Sequence, residues 1–146
     1  MFDYRRILTC YDDTAEMKAA LHHATSLGKS LRAELHVLVV IDTAAMVSST
    51  LGLPSDGAYM NIEHTARETL KRGLDLAQER GVSAHGHVAV GNIVDNVRHY
   101  AEALRADFVV VGHRRRSGFA RLWHGPAPHQ TLIGRCGESA VITVTV

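Results

Sequence analysis

The chain has 146 residues, a formal net charge of +1 and a hydrophobic fraction of 46%. That length suits one domain with its own core. The near-neutral balance removes any bulk electrostatic case for nucleic acid or an anionic membrane surface, and no run approaches the roughly 18 apolar residues of a membrane span.

The opening segment, Met1-Phe-Asp-Tyr-Arg-Arg, leads straight into a predicted strand and lacks a signal peptide's apolar region, so a cytoplasmic location is expected. Residues 6–11 (Arg-Ile-Leu-Thr-Cys-Tyr) read as the first strand. Asp12-Asp13-Thr14 follows and suits a helix cap. Met17, Ala20, Leu21, Ala24, Leu27 and Leu31 then recur at helical spacing, with Gly28 blurring where that helix ends. Residues 34–42 form the second strand, continuously apolar from Val37 to Ile41, as expected for a strand covered on both faces. Residues 43–58, rich in small residues, read as a long loop. Helical spacing returns over residues 59–80, and Gly81 stops it as a C′ residue.

Residues 82–90 alternate in character, which suits an edge strand. Gly91-Asn92 is a turn and cap, and Ile93, Val97, Ala101 and Leu104 mark the next helix. Phe108 to Val111 is a short buried strand that breaks at Gly112. An arginine-rich loop follows, and a short helix is expected from Pro126 to about Arg135, since proline tolerates the first helical position. Residues 140–146 (Ala-Val-Ile-Thr-Val-Thr-Val) form the fifth strand, apolar on both faces and without charge or proline to guard an edge.

Strand and helix alternate through five strands. This predicts an α/β domain: a doubly wound, five-stranded parallel sheet of order 3-2-1-4-5 with helices on both faces, filling residues 1–146. Such sheets bind ligands at the carboxyl ends of strands, where strand order reverses. Here the reversal falls between strands one and four. It places Cys10, Tyr11 and Asp12 on one side of a cleft and Val111, Gly112 and His113 on the other. Strand, glycine, basic loop and helix start also suit an anion.

The stretch from Gly112 to Pro126 resembles the nucleotide loop of the universal stress protein family. That family's ATP-binding members show Gly, two residues, Gly, nine residues, Gly, then Ser or Thr. Gly112 and Gly125 match the first and third glycines, whereas Arg115 stands at the second and Pro126 at the hydroxyl position. Residues 7–12, Val40, Gly91 and the run from Ala106 to Gly112 also match in order. The resemblance implies a Rossmann-like fold, related to the adenine nucleotide alpha hydrolases. It implies an ATP, ADP or AMP site in which Asp12 approaches the ribose, Val40 lies near the base and Arg115, Gly125, Pro126 and Ala127 line the phosphate loop. It also implies a stress-response homodimer joined through strand five.

Arginine at 115 costs a flexible position but can grip phosphate through its guanidinium. Proline at 126 removes a hydroxyl and a backbone N–H together, losing roughly 1–3 kcal/mol of ligand stabilisation. A dimeric interaction module of the same fold without ATP is the alternative, and an enzyme of another doubly wound family, such as an electron-transfer flavoprotein, a third. No P-loop lysine, Ser-His-Asp ordering or paired carboxylates beyond Asp12-Asp13 appear, which leaves at most weak ATP hydrolysis. Cys10 and Cys136 form no CxxC pair, and Cys10 is expected as a buried thiol. His85 and His87 can share a strand face and His113, His124 and His129 flank the basic loop. None shows ligand spacing with Cys or carboxylate partners, so no metal is expected.

Overall fold

The computed structural model describes residues 4–43, 56–115 and 137–146. Strands β1 (Arg6–Cys10), β2 (Glu34–Ile41), β3 (His85–Val90), β4 (Phe108–His113) and β5 (Ala140–Thr145) form one sheet in the order β3-β2-β1-β4-β5. Every neighbouring pair is parallel. The architecture is the doubly wound one that alternating strands and helices predict.

Helix α1 (Ala15–Leu31) and helix α2 (Asp56–Glu79) cover one face of the sheet, and helix α3 (Ile93–Leu104) covers the other. The period-two alternation of β1 divides its side chains between these layers. Ile7 and Tyr11 join Ala20, Leu21 and Ala24 of α1 with Ala66 and Ala77 of α2. Leu8 and Cys10 join Val97 and Ala101 of α3. Fully burying a side chain of leucine or isoleucine size contributes roughly 1.5–3 kcal/mol, so these two layers supply the main drive to fold. Thr9, the polar member of the strand, donates its hydroxyl to the Val110 carbonyl at 3.0 Å, so its own buried hydroxyl is paired.

Caps set the helix ends. Thr14 caps α1 by accepting from the Met17 N–H, and Asn92 caps α3 by accepting from Asp95. α1 runs through Gly28, whose missing Cβ faces the Ala33 carbonyl and Ile7 at 3.5 and 3.8 Å, and it ends where Arg32 turns left-handed. Gly81, with φ of +83°, ends α2 as expected: the Val82 N–H returns to the Ala77 carbonyl at 3.0 Å.

Three boundaries differ from the sequence expectation by two residues or more. α2 starts at Asp56, ahead of residue 59, while the rest of the expected loop, residues 44–55, lies outside the described residues. β3 starts at His85 rather than Val82, because Val82 is used to close α2. β4 does not break at Gly112 but continues through it to His113, paired residue for residue with β5. The helix expected over 126–135 lies outside the described residues.

The Ala106-Asp107 junction is structural. Ala106 is buried, and the Asp107 carboxylate accepts from the Arg5 and Arg6 N–H groups at 2.7 and 3.0 Å, fixing the start of β1 against β4.

Candidate functional site

The cleft sits where β1 and β4 deliver their C-terminal ends to the point of strand-order reversal. On the β1 side the chain makes a compact acidic turn. Asp12 accepts from the Thr14 N–H at 3.1 Å and from its hydroxyl at 2.6 Å, and Thr14 in turn caps α1. Asp12 is exposed, so it can also face a ligand. Its helix-capping part is indirect, since Thr14 is the cap.

Asp13 adopts φ of +67°, a left-handed conformation that aspartate tolerates better than most residues. Two partners from different elements hold it there. The Tyr11 hydroxyl donates to Oδ1 at 2.8 Å, and Arg72 of α2 donates to Oδ2 from Nε at 3.0 Å and Nη2 at 2.6 Å. The Arg72 hydrogen bonds hold the Asp13 carboxyl below the usual carboxylate range. Burial, followed by the bond to Asp13, pushes the Tyr11 phenol up. Tyr11 itself is fully buried against α2, where a Cβ on Gly73 would lie 2.8 Å from its ring. Tyr11 therefore braces the turn from beneath and does not line an open pocket. Along the chain, Arg72 reads only as one charge on the solvated face of a helix and Gly73 has no assigned part. A glycine within a helical pattern was the available signal, but its partner comes from a strand more than sixty residues away in the chain.

On the β4 side, Gly112 has a packing reason of its own. A Cβ there would collide with the backbone carbonyl of Glu16 and lie 2.9 Å from the Met17 nitrogen. Its missing side chain lets the first turn of α1 rest directly on β4. His113 is half-buried, and Arg114 and Arg115 are exposed. The Arg115 N–H reaches the Val146 carbonyl at 3.2 Å, so the strand ladder runs to its edge. Among the described residues the non-glycine positions with positive φ are Asp13, Arg32 and Arg105. The backbone at Arg115 thus makes no demand for glycine. Gly125, Pro126 and Ala127 lie outside the described residues.

Val40 is half-buried at the end of β2, and Val111 is buried in the α3 layer with Cys10. Burial, with the Asp12 charge second, pushes the Cys10 thiol up to about 12, so it is an inert apolar filler at neutral pH. At the neighbouring β3 end, Gly91 takes φ of +128° and Asn92 caps α3.

The charges divide across the cleft. Asp12, Asp13 and Glu16 crowd the N-terminus of α1 and offset its positive pole, so this side suits hydroxyl donors rather than anions. Glu16 Oε2 is buried with no hydrogen-bond partner among the described residues. The sequence His113-Arg114-Arg115 puts the positive charge on the other side.

Spacing along the chain puts His85 and His87 on one strand face but brings in neither Glu34 nor His36. Glu34, His36, His85 and His87 meet at the opposite end of the sheet, brought together by the β2–β3 register.

Residues 3–132 match the universal stress protein family. A universal stress protein from Methanocaldococcus jannaschii is 27% identical over 133 residues, which cover 88% of this chain and 76% of the relative. Among solved structures, a universal stress protein in complex with cAMP has a TM-score of 0.70 at 18% identity, covering 99% of this chain and 98% of that one. One from Archaeoglobus fulgidus in complex with dAMP has a TM-score of 0.67 at 16% identity, covering 97% and 98%. At such identities the structural likeness establishes the fold.

Proposed function

The chain belongs to the universal stress protein family, and on that premise we propose that it binds an adenine nucleotide (ATP, ADP or AMP) and serves a cytoplasmic stress response without strong catalysis. The observation that carries this reading is the division of charge across the β1–β4 cleft, acidic at Asp12 and basic from His113 to Arg115. A ribose hydroxyl donates to the exposed Asp12 carboxylate. Val40 borders the base, with Val111, Cys10 and Tyr11 packed behind the cleft as its floor, and the phosphates lie against Gly112, His113 and Arg115, with Gly125, Pro126 and Ala127 completing the loop. The bound cAMP and dAMP of the structural neighbours support the ligand class.

Calorimetric titration with ATP, and with ADP and AMP beside it, tests the site. Saturation at about 100 times the dissociation constant stabilises the fold by about 2.7 kcal/mol. Asp12→Ala is expected to weaken binding. No heat with any nucleotide, or an unchanged affinity in Asp12→Ala, overturns the placement. One observation favours a second reading, a dimeric module that works without ATP: packing against Glu16 accounts for Gly112 with no ligand present. Mass spectrometry of the purified protein for carried nucleotide separates the two.

Either reading uses a homodimer. β5 lies at the sheet edge, and its residues carry no charge or proline over 140–146. Two copies related by a two-fold axis pair there antiparallel. Sedimentation is expected to give a dimer that Val144→Pro weakens, since proline removes a ladder donor. A monomer at tens of micromolar, or a folded Val144→Pro variant that remains fully dimeric, rules this out.

A further inference from the structure

We propose that Glu34, His36 and His85 form a binding site for a divalent transition metal of the zinc class, with His87 positioning His36. The site lies at the N-terminal end of the sheet and shares no residue with the nucleotide cleft.

Register builds it. β2 begins at Glu34 and β3 begins at His85, and the parallel pairing sets His36 opposite His85. Side chains in register share a face, and so does His87, two residues further along. The rings stack accordingly. His36 and His85 have centroids 4.8 Å apart at 23°, and His36 and His87 have centroids 5.2 Å apart at 20°. One ligand atom from each of Glu34, His36 and His85 falls within 4.8 Å of the other two. Around a tetrahedral zinc with bonds near 2.0–2.1 Å, neighbouring ligand atoms sit roughly 3.4 Å apart, so rotation of two exposed side chains closes the set.

The second observation concerns a buried nitrogen. His36 is 7% exposed, yet its Nε2 makes no hydrogen bond among the described residues, and Glu34 Oε2 stands 3.5 Å from it, at ion-pair distance. The other ring nitrogen is engaged: His36 Nδ1 lies 2.9 Å from His87 Nε2. In the tautomer that carries the proton on Nδ1 and donates it to His87, the lone pair of His36 sits on Nε2, on the side of Glu34 and His85. A metal-ligating histidine whose second nitrogen is hydrogen-bonded to a neighbour is the usual arrangement at metal sites. Two imidazoles and a carboxylate favour zinc and its neighbours over calcium or magnesium, which take oxygen ligands. Glu34 and His85 are exposed, which gives the ion an entry path and leaves the fourth position to water. Arg6 Nε, 3.4 Å from Glu34 Oε2, shares that carboxylate in an exposed pair that leaves it free to turn.

The test is calorimetric titration of chelator-stripped full chain with zinc chloride, and with magnesium chloride as the oxygen-seeking control. The expected result is one zinc site and no magnesium site. Glu34→Gln and His85→Gln each lower zinc affinity by at least about tenfold, and His87→Phe lowers it by about 10- to 100-fold. His64→Gln leaves it unchanged, because His64 and Glu68 form an exposed pair 3.2 Å apart on α2 that reports generic surface binding. Both Glu34 and His85 are exposed, so their variants keep the wild-type circular dichroism spectrum. Absence of zinc binding overturns the proposal. So does zinc binding that survives both Glu34→Gln and His85→Gln, or that falls equally in His64→Gln.

Discussion

The carboxylates in the turn after β1 are already held by the protein, whereas the imidazoles at the start of β2 and β3 leave a buried nitrogen with no hydrogen bond among the described residues. Asp12 is occupied by Thr14, and Asp13 by Tyr11 and Arg72. His36 Nε2 makes no hydrogen bond among the described residues, with Glu34 Oε2 3.5 Å away. The two ends of one sheet therefore meet ligands differently. The C-terminal end is preorganised, so a ligand there adds contacts to a turn that stands without it. At the N-terminal end the polar group waits for a partner, and the ion itself completes the hydrogen-bonding and charge balance of the cluster.

The largest test of this contrast is Gly112→Ala. If the C-terminal end is rigid because α1 rests on β4, a single added Cβ must push the Glu16 backbone away. Overpacking of this kind costs roughly 1–3 kcal/mol, and at roughly 2–4 °C per kcal/mol the thermal midpoint is expected to fall by several degrees. The metal-free His85→Gln protein is expected to melt with the wild type, because that side chain is exposed at a sheet edge. A Gly112→Ala midpoint within about a degree of wild type breaks the comparison, since the close α1–β4 approach then carries no stability.

The same two ends differ in how far the sequence reveals them. Topology alone locates the cleft. Five strands alternating with helices imply a doubly wound parallel sheet, and in the order 3-2-1-4-5 Asp12 and Gly112 come together without knowledge of any side-chain contact. The role of Gly112 was not visible in the same way. A glycine after an apolar run looks like a strand breaker, and only the position of Glu16 shows it as a packing site inside a continuous strand. The histidines depend on register. His36 and His85 lie in different strands, and a shift of one residue in the β2–β3 pairing would put them on opposite faces. No spacing rule along the chain carries that information. Asp13 and Arg72 likewise meet only because α2 packs beside α1 over the same face.

A smaller effect probes how the acidic turn is held. The Arg72 hydrogen bonds keep the folded Asp13 carboxyl below its ordinary value of 3.8. A carboxyl with a depressed folded pKa binds its proton less readily in the native state than in the unfolded chain. Its stabilising contribution is therefore complete above the unfolded pKa and is lost as pH falls through the folded one. The stability gap between wild type and Asp13→Asn is expected to be fully open at neutral pH and to close as pH falls from about 5 through the depressed folded pKa. Asparagine accepts the left-handed φ as aspartate does, so the change removes charge and leaves the backbone at ease. The gap is expected to be small and to shrink further in high salt, because the Arg72 side chain is 52% exposed and water screens the pair. Denaturant melts of both proteins across that pH range measure it. A gap that stays constant with pH would mean that Asp13 acts through the shape of the turn rather than through its charge, and the two ends of the sheet would then differ in geometry alone.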